Sequence, residues 1–284
     1  MNEPIMKKTK GHGINIQVAI WEGAGKEILC IHGLTANCRF WDCLANALSP
    51  RHKLIAMDLR GRGLSDKPST GYSIDSHCKD VLALMDDLGL ERPVLMGHSL
   101  GAFISLVFAA QTPQRVDRLI LVDGGGKLTE TQMTKVFAGI KSSLDRLGKI
   151  FHSFEDYLSQ MKQAPYLQPW NPFMDKYFQY EVEEVEGGVR SRVHPKHIEE
   201  EAQNLGKVDS TQFYQKVISP TLILRATKGM LAKDDFVLPE EVADRMVHEM
   251  PNAKRVDVEG VNHYTILLEP NEKRDQAILN FLKA

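Results

Sequence analysis

A serine held between two glycines, in Gly97-His98-Ser99-Leu100-Gly101, is the part of this sequence best suited to chemistry. The apolar run Pro93-Val94-Leu95-Met96 precedes it and reads as a buried strand, and Ala102 to Ala110 follows it and reads as a buried helix. On so tight a strand-to-helix turn the serine backbone is strained and Oγ projects above the sheet. The flanking glycines let strand and helix approach closely. Ser99 then sits at a helix N-terminus, where backbone N–H groups face a developing negative charge. This arrangement suits nucleophilic attack on an acyl carbon.

A serine hydroxyl is a weak nucleophile and needs a base. Of ten histidines, His263 is the best placed, in the loop Glu259-Gly260-Val261-Asn262-His263-Tyr264 between the last strand pattern and the final helix. His98 reads as a packing residue, His32 as a residue shaping its own loop, and His194 and His197 as surface groups without a third metal ligand. An acid must hold the second imidazole nitrogen. Three aspartates compete: Asp235, preferred for its place before the helix opening at Pro239; its neighbour Asp234; and Asp123, whose alternative role is to anchor the turn Gly124-Gly125-Gly126. For the oxyanion, the N–H of Leu100 directly follows the nucleophile, and Leu34 in His32-Gly33-Leu34-Thr35 supplies a second donor.

These groups need a scaffold that gathers loops from distant parts of the chain. Short apolar runs recur at Ile14 to Trp21, Glu27 to Ile31, Lys53 to Met57, Pro93 to Met96, Val116 to Val122, Thr221 to Leu224 and Arg255 to Val258. Helix-spaced apolar residues lie between them, as at Ile74 to Leu88. This alternation predicts a parallel sheet covered on both faces. From about Lys127 to Lys216 the rhythm changes to long helical patterns rich in aromatics, among them Tyr166, Trp170, Tyr177 and Phe178. We read this stretch as a helical insertion covering the site, and the acidic run from Glu181 to Glu186 as a solvated face. The expected division is a core of 1–126 and 217–284 with a cap of 127–216. Gly33, His98, Trp170 and Tyr166 are expected to line the substrate pocket.

Composition narrows the partners. With 284 residues, 43% of them hydrophobic, the chain can bury a large core. A net charge of −2 leaves no basic excess for nucleic acid. No apolar stretch reaches the ~18 residues a membrane span needs, and the basic start from Met1 to Lys10 lacks a signal-peptide core. Cys30, Cys38, Cys43 and Cys78 form no C-x-x-C pair, so reduced thiols in a cytoplasmic protein are expected. Nothing in the sequence sets the oligomeric state.

Taken together, the motifs resemble the α/β-hydrolase superfamily over nearly the whole chain. His32-Gly33 resembles its oxyanion loop, and Phe40-Trp41 with Leu44 its first helix. Asp58-Leu59-Arg60-Gly61-Arg62-Gly63-Leu64-Ser65-Asp66 resembles the loop after its fourth strand, and Gly260 to His263 its histidine loop. The resemblance implies an α/β fold with a mostly parallel eight-stranded sheet flanked by helices, a helical cap after strand six, and a Ser-His-Asp triad. It implies a serine hydrolase of a small-molecule carboxylic ester that needs no metal or organic cofactor. A lactone (acyl-homoserine lactones included) and a carbon–carbon bond in a dienoic keto acid are alternative substrates. The last of these requires a cap cation such as Arg190 or Arg192 facing the pocket. Ser99 in place of an aspartate argues against dehalogenase or epoxide-hydrolase chemistry. A ligand-binding receptor, or a cofactor-free lyase or oxygenase, shares the scaffold. One feature departs from the family's pattern: the family often places its acid in a short turn soon after strand seven, whereas Arg225 to Asp235 is longer.

Overall fold

The computed structural model describes residues 2–283. Eight strands form one sheet in the order β1-β2-β4-β3-β5-β6-β9-β10. They are β1 (Ile5–Lys10), β2 (Asn15–Trp21), β3 (Glu27–Ile31), β4 (Lys53–Met57), β5 (Val94–His98), β6 (Arg118–Val122), β9 (Thr221–Ala226) and β10 (Ala253–Val258). β1 and the β2–β4 pairing are antiparallel, and all other neighbours run parallel. Strand β1 falls in the basic start of the chain, where no strand is expected. Every residue of it but Thr9 is exposed, and three of the six are lysines, as an edge strand permits.

The inner strands are apolar on both faces because helices cover both. Ile28, Cys30, Val94 and Met96 point into one core, and Leu29, Ile31 and Leu95 into the other. Helices α2 (Ile74–Leu88), α3 (Leu100–Gln111) and α9 (Glu240–Glu249) pack against the second core; α1 (Asp42–Leu48), α10 (Thr265–Leu268) and α11 (Glu272–Lys283) pack against the first. Helix α2 begins where the Ser73 hydroxyl accepts the Ser76 N–H and stops at Gly89, which takes the left-handed conformation at φ 69°. All four cysteines are buried and unpaired. No helix among the described residues is long and apolar enough to cross a membrane.

The segment between β6 and β9 carries α4 (Glu130–Asp145), α5 (Phe154–Lys162), α6 (Pro172–Glu181), α7 (Pro195–Leu205) and α8 (Thr211–Tyr214). It also holds a hairpin of β7 (Val182–Val185) and β8 (Gly188–Ser191), which helical patterning alone does not anticipate. The acidic run departs from its expected solvated character at its first residue. Glu181 is buried and binds the buried Arg146, with Ser191 Oγ donating to the same carboxylate oxygen. A charge run hides this because the compensating cation lies on another helix.

Candidate active site

Parallel strands end on the same edge, so β3, β5 and β6, neighbours in the sheet, deliver His32-Gly33, Ser99 and Asp123 side by side. Ser99 takes φ 55° and ψ −119°, a strained conformation for a residue with a side chain. A Cβ on Gly97 would overlap the Gly101 carbonyl, and one on Gly101 would overlap the Ile31 carbonyl, so both glycines are required by close approach. Ser99 is the N-cap of α3, and its own N–H donates to Val122 O at 3.1 Å.

The oxyanion donors expected from the sequence are geometrically available. Among the described residues, the N–H groups of Leu34 and Leu100 have no intramolecular acceptor. His32 braces the first of them. Its Nε2 accepts the Leu59 N–H at 3.0 Å, so Nδ1 carries the hydrogen, which goes to Gly33 O at 2.8 Å. The Gly33 carbonyl and the Leu34 N–H share one planar trans peptide and point in opposite directions. Pinning the carbonyl therefore aims the N–H.

His263 Nδ1 binds a carboxylate at 2.7 Å, and the carboxylate is that of Asp123. Asp235, the acid preferred from the sequence, does not meet the histidine. Asp235 folds its own loop, accepting the N–H groups of Met230 at 2.6 Å, Leu231 at 2.8 Å and Ala232 at 3.0 Å. Asp234 is exposed and pairs with Lys135. Asp123 is buried, and its other oxygen accepts the Ala226 N–H at 3.0 Å from the end of β9. Its φ of 45° is the second strained non-glycine position beside Ser99. The sequence signal was the glycine run after it: a Cβ on Gly124 would lie 2.7 Å from Ser99 O, so that turn packs directly on the serine.

Ser99 and His263 line a cavity of about 420 Å³, its open mouth included. Gly33 and His98 line it too, as expected. Phe40, Ile140, Ser143, Tyr177 and Tyr264 also line it and were not anticipated as pocket residues. Tyr166 belongs to an adjoining chamber that shares Ser143, Tyr177 and Tyr264. Trp170 lines neither; it stacks on Phe178 and donates to Asp175 instead. Arg190 pairs with Glu183, and Arg192 donates to Tyr180 O, so neither faces this cavity. No lysine, arginine, aspartate or glutamate lines the chamber that holds Ser99.

His98 does more than pack. Its Nε2–H donates to His263 O at 2.9 Å, and its ring lies 4.4 Å from the His263 ring and 5.0 Å from Phe40. Burial, then the neighbouring His263, pushes the His98 pKa well below the usual histidine range. Burial likewise pushes His32 down to about 3. Both rings stay neutral in the folded state, whereas in the unfolded chain they take up protons below about 6.5. Stability is therefore expected to be unaffected by these groups above pH 6.5 and to fall below it. The slope is roughly 1.4 kcal/mol per pH unit for each ring, until native His32 titrates near 3. Denaturant unfolding at pH 7, 6 and 5 measures this, and a slope unchanged on His98→Gln would refute the assignment to that ring.

Comparison with known proteins bears on the fold. A family model described as the alpha/beta hydrolase fold matches residues 27–270. A 2-(acetamidomethylene)succinate hydrolase of Mesorhizobium japonicum is 29% identical over 263 residues, 93% of this chain and 90% of that protein. The crystal structure of an E-2-(acetamidomethylene)succinate hydrolase superposes with a TM-score of 0.84 at 26% identity, covering 99% of this chain and 100% of that one. An uncharacterised protein of Mycobacterium tuberculosis is 44% identical over 104 residues, 37% of this chain but only 30% of that protein's length. The strained serine between β5 and α3, the eight-stranded sheet and the family match over most of its length lead to one conclusion: this chain belongs to the alpha/beta hydrolase fold family.

Proposed function

We propose that this chain is a serine hydrolase that cleaves a carboxylic ester of a small to medium, uncharged and largely apolar molecule. The observation that carries this reading is the 2.7 Å bond from His263 Nδ1 to Asp123, at a cavity that His263 shares with the strained Ser99. Asp123 holds the Nδ1–H tautomer, leaving Nε2 free to take the Ser99 proton as Oγ attacks the ester carbonyl. The oxyanion is held by the N–H groups of Leu34 and Leu100. His263 then protonates the departing alcohol, an acyl group remains on Ser99, and water repeats the cycle. In this reading residues 127–216 act as a cap on a core of 1–126 and 217–284.

Two features support an uncharged ester. The chamber around Ser99 has no charged lining, and the buried arginine of the adjoining chamber, Arg146, is already paired with Glu181. The carbon–carbon alternative loses its expected cationic contact, because Arg190 and Arg192 point elsewhere.

The test is a p-nitrophenyl ester series from acetate to decanoate. We expect a burst of p-nitrophenol equal to the enzyme concentration and an optimum at short acyl chains of about two to six carbons, since Phe40, Ile140, Tyr177 and Tyr264 stand around Ser99 in the chamber. A flat profile with no burst would count against an acyl-enzyme, and rising activity up to decanoate against the small pocket.

A further inference from the structure

One buried ion pair outside the triad reaches the oxyanion loop from the insertion. Arg62, in the loop after β4, is fully buried, and its Nη2 donates to Glu201 Oε2 of helix α7 at 2.8 Å. His77 of α2 holds both oxygens of the same carboxylate at 2.9 Å. The other two guanidinium nitrogens face the core. Nη1 donates to Arg60 O at 2.9 Å, and Nε donates to Leu34 O at 3.0 Å.

That last bond matters because of where it falls. His32 pins the Gly33 carbonyl, on the N-terminal side of the Leu34 Cα, and Arg62 pins the Leu34 carbonyl on the C-terminal side. With both peptides fixed, the Leu34 N–H cannot rotate about either backbone dihedral of Leu34 without breaking a buried hydrogen bond. We infer that Arg62 and Glu201 are positioning residues for the oxyanion donor at Leu34, so that seating helix α7 completes the active site. This rests on the oxyanion role proposed above.

The carboxylate is built to hold the arginine. Burial would raise the Glu201 pKa, but His77 and Arg62 outweigh it and hold it at about 2. Arginine is suited to the task because its planar fork reaches Glu201, Arg60 O and Leu34 O at once, which a lysine cannot do. Neighbouring contacts supply a control. Glu200 of the same helix accepts the N–H groups of Gly71 and Tyr72, at 2.9 and 3.0 Å, and so ties α7 to the same loop without touching Arg62.

The experiment compares Glu201→Gln, Arg62→Lys and Glu200→Ala for kcat, KM, denaturation midpoint and Ki of a trifluoromethyl ketone, which occupies the oxyanion site as a tetrahedral adduct. Glu201→Gln is the mild variant, keeping size and one acceptor. We expect it to lower kcat about 5- to 20-fold with KM within about twofold, and to raise Ki by the same factor as kcat/KM falls. Arg62→Lys should do more in the same direction. Glu200→Ala, which removes the acceptor of both N–H groups, should lower the denaturation midpoint while leaving kcat and Ki within about twofold. If Glu201→Gln loses stability but keeps wild-type kcat and Ki, the pair is a structural anchor only and the inference is overturned. If the wild type itself neither turns over esters nor binds the ketone, the ester reading fails and takes this inference with it.

Discussion

Replacing Asp123 by asparagine is expected to lower kcat by about 10⁴-fold, whereas Asp235→Asn is expected to leave kcat within a few-fold and to destabilise the protein instead. The asymmetry follows from what each carboxylate touches. An asparagine at 123 can still accept the Ala226 N–H through its oxygen, but its amide then presents N–H donors to His263 Nδ1. The imidazole must turn to the opposite tautomer, placing its hydrogen on Nε2, where it cannot accept the serine proton. At 235 the carboxylate receives three backbone N–H groups and has no contact with the imidazole. An amide there faces donors with a donor, at a cost of about 1–3 kcal/mol. Steady-state kinetics beside denaturant unfolding separates the two, and the reverse pattern would restore Asp235 as the acid.

Ser99→Ala is expected to abolish turnover, by roughly 10⁵- to 10⁶-fold, and His263→Ala to cost a similar factor. The double variant should be no slower than either single one, because nucleophile and base act as one unit and removing either leaves only the oxyanion donors and binding. Alanine at 99 still has to occupy φ near 55°, so the variant tests the hydroxyl without relaxing the turn. A fluorophosphonate should add one equivalent of mass to the wild type and none to Ser99→Ala. Additive losses in the double variant, or labelling that survives the loss of Ser99, would show that another residue carries the acyl group.

Local pattern was enough for the parts of the site that lie within a few residues of one another. The strand, strained turn and helix around Ser99 are legible because Gly97 and Gly101 have to be glycine at that spacing. The Ile74–Leu88 helix is legible from its periodicity and from Gly89 at its end. His263 is legible from its place between a strand and a helix. What the linear chain does not carry is which strands lie side by side. Asp123 and Asp235 look alike as aspartates in loops beyond strands. Only the sheet order, with β6 seated between β5 and β9, brings the end of β6 beside the serine and within reach of the histidine loop.

The same reason explains the buried charges. Glu181 reads as part of a solvated acidic run until Arg146, on another helix, is folded against it. Nothing in the sequence around Glu201 marks it as buried; Arg62, 139 positions away in the sequence, and His77 enclose it. By itself the sequence determined the fold class and the strained turn at Ser99 with its glycines, and it singled out His263 as a candidate base, because each depends on local backbone demands. The tertiary structure alone decided which aspartate meets His263, which side chains line the chamber and which carbonyls Arg62 binds, because pairing between distant groups depends on how strands and helices pack and not on any spacing along the chain.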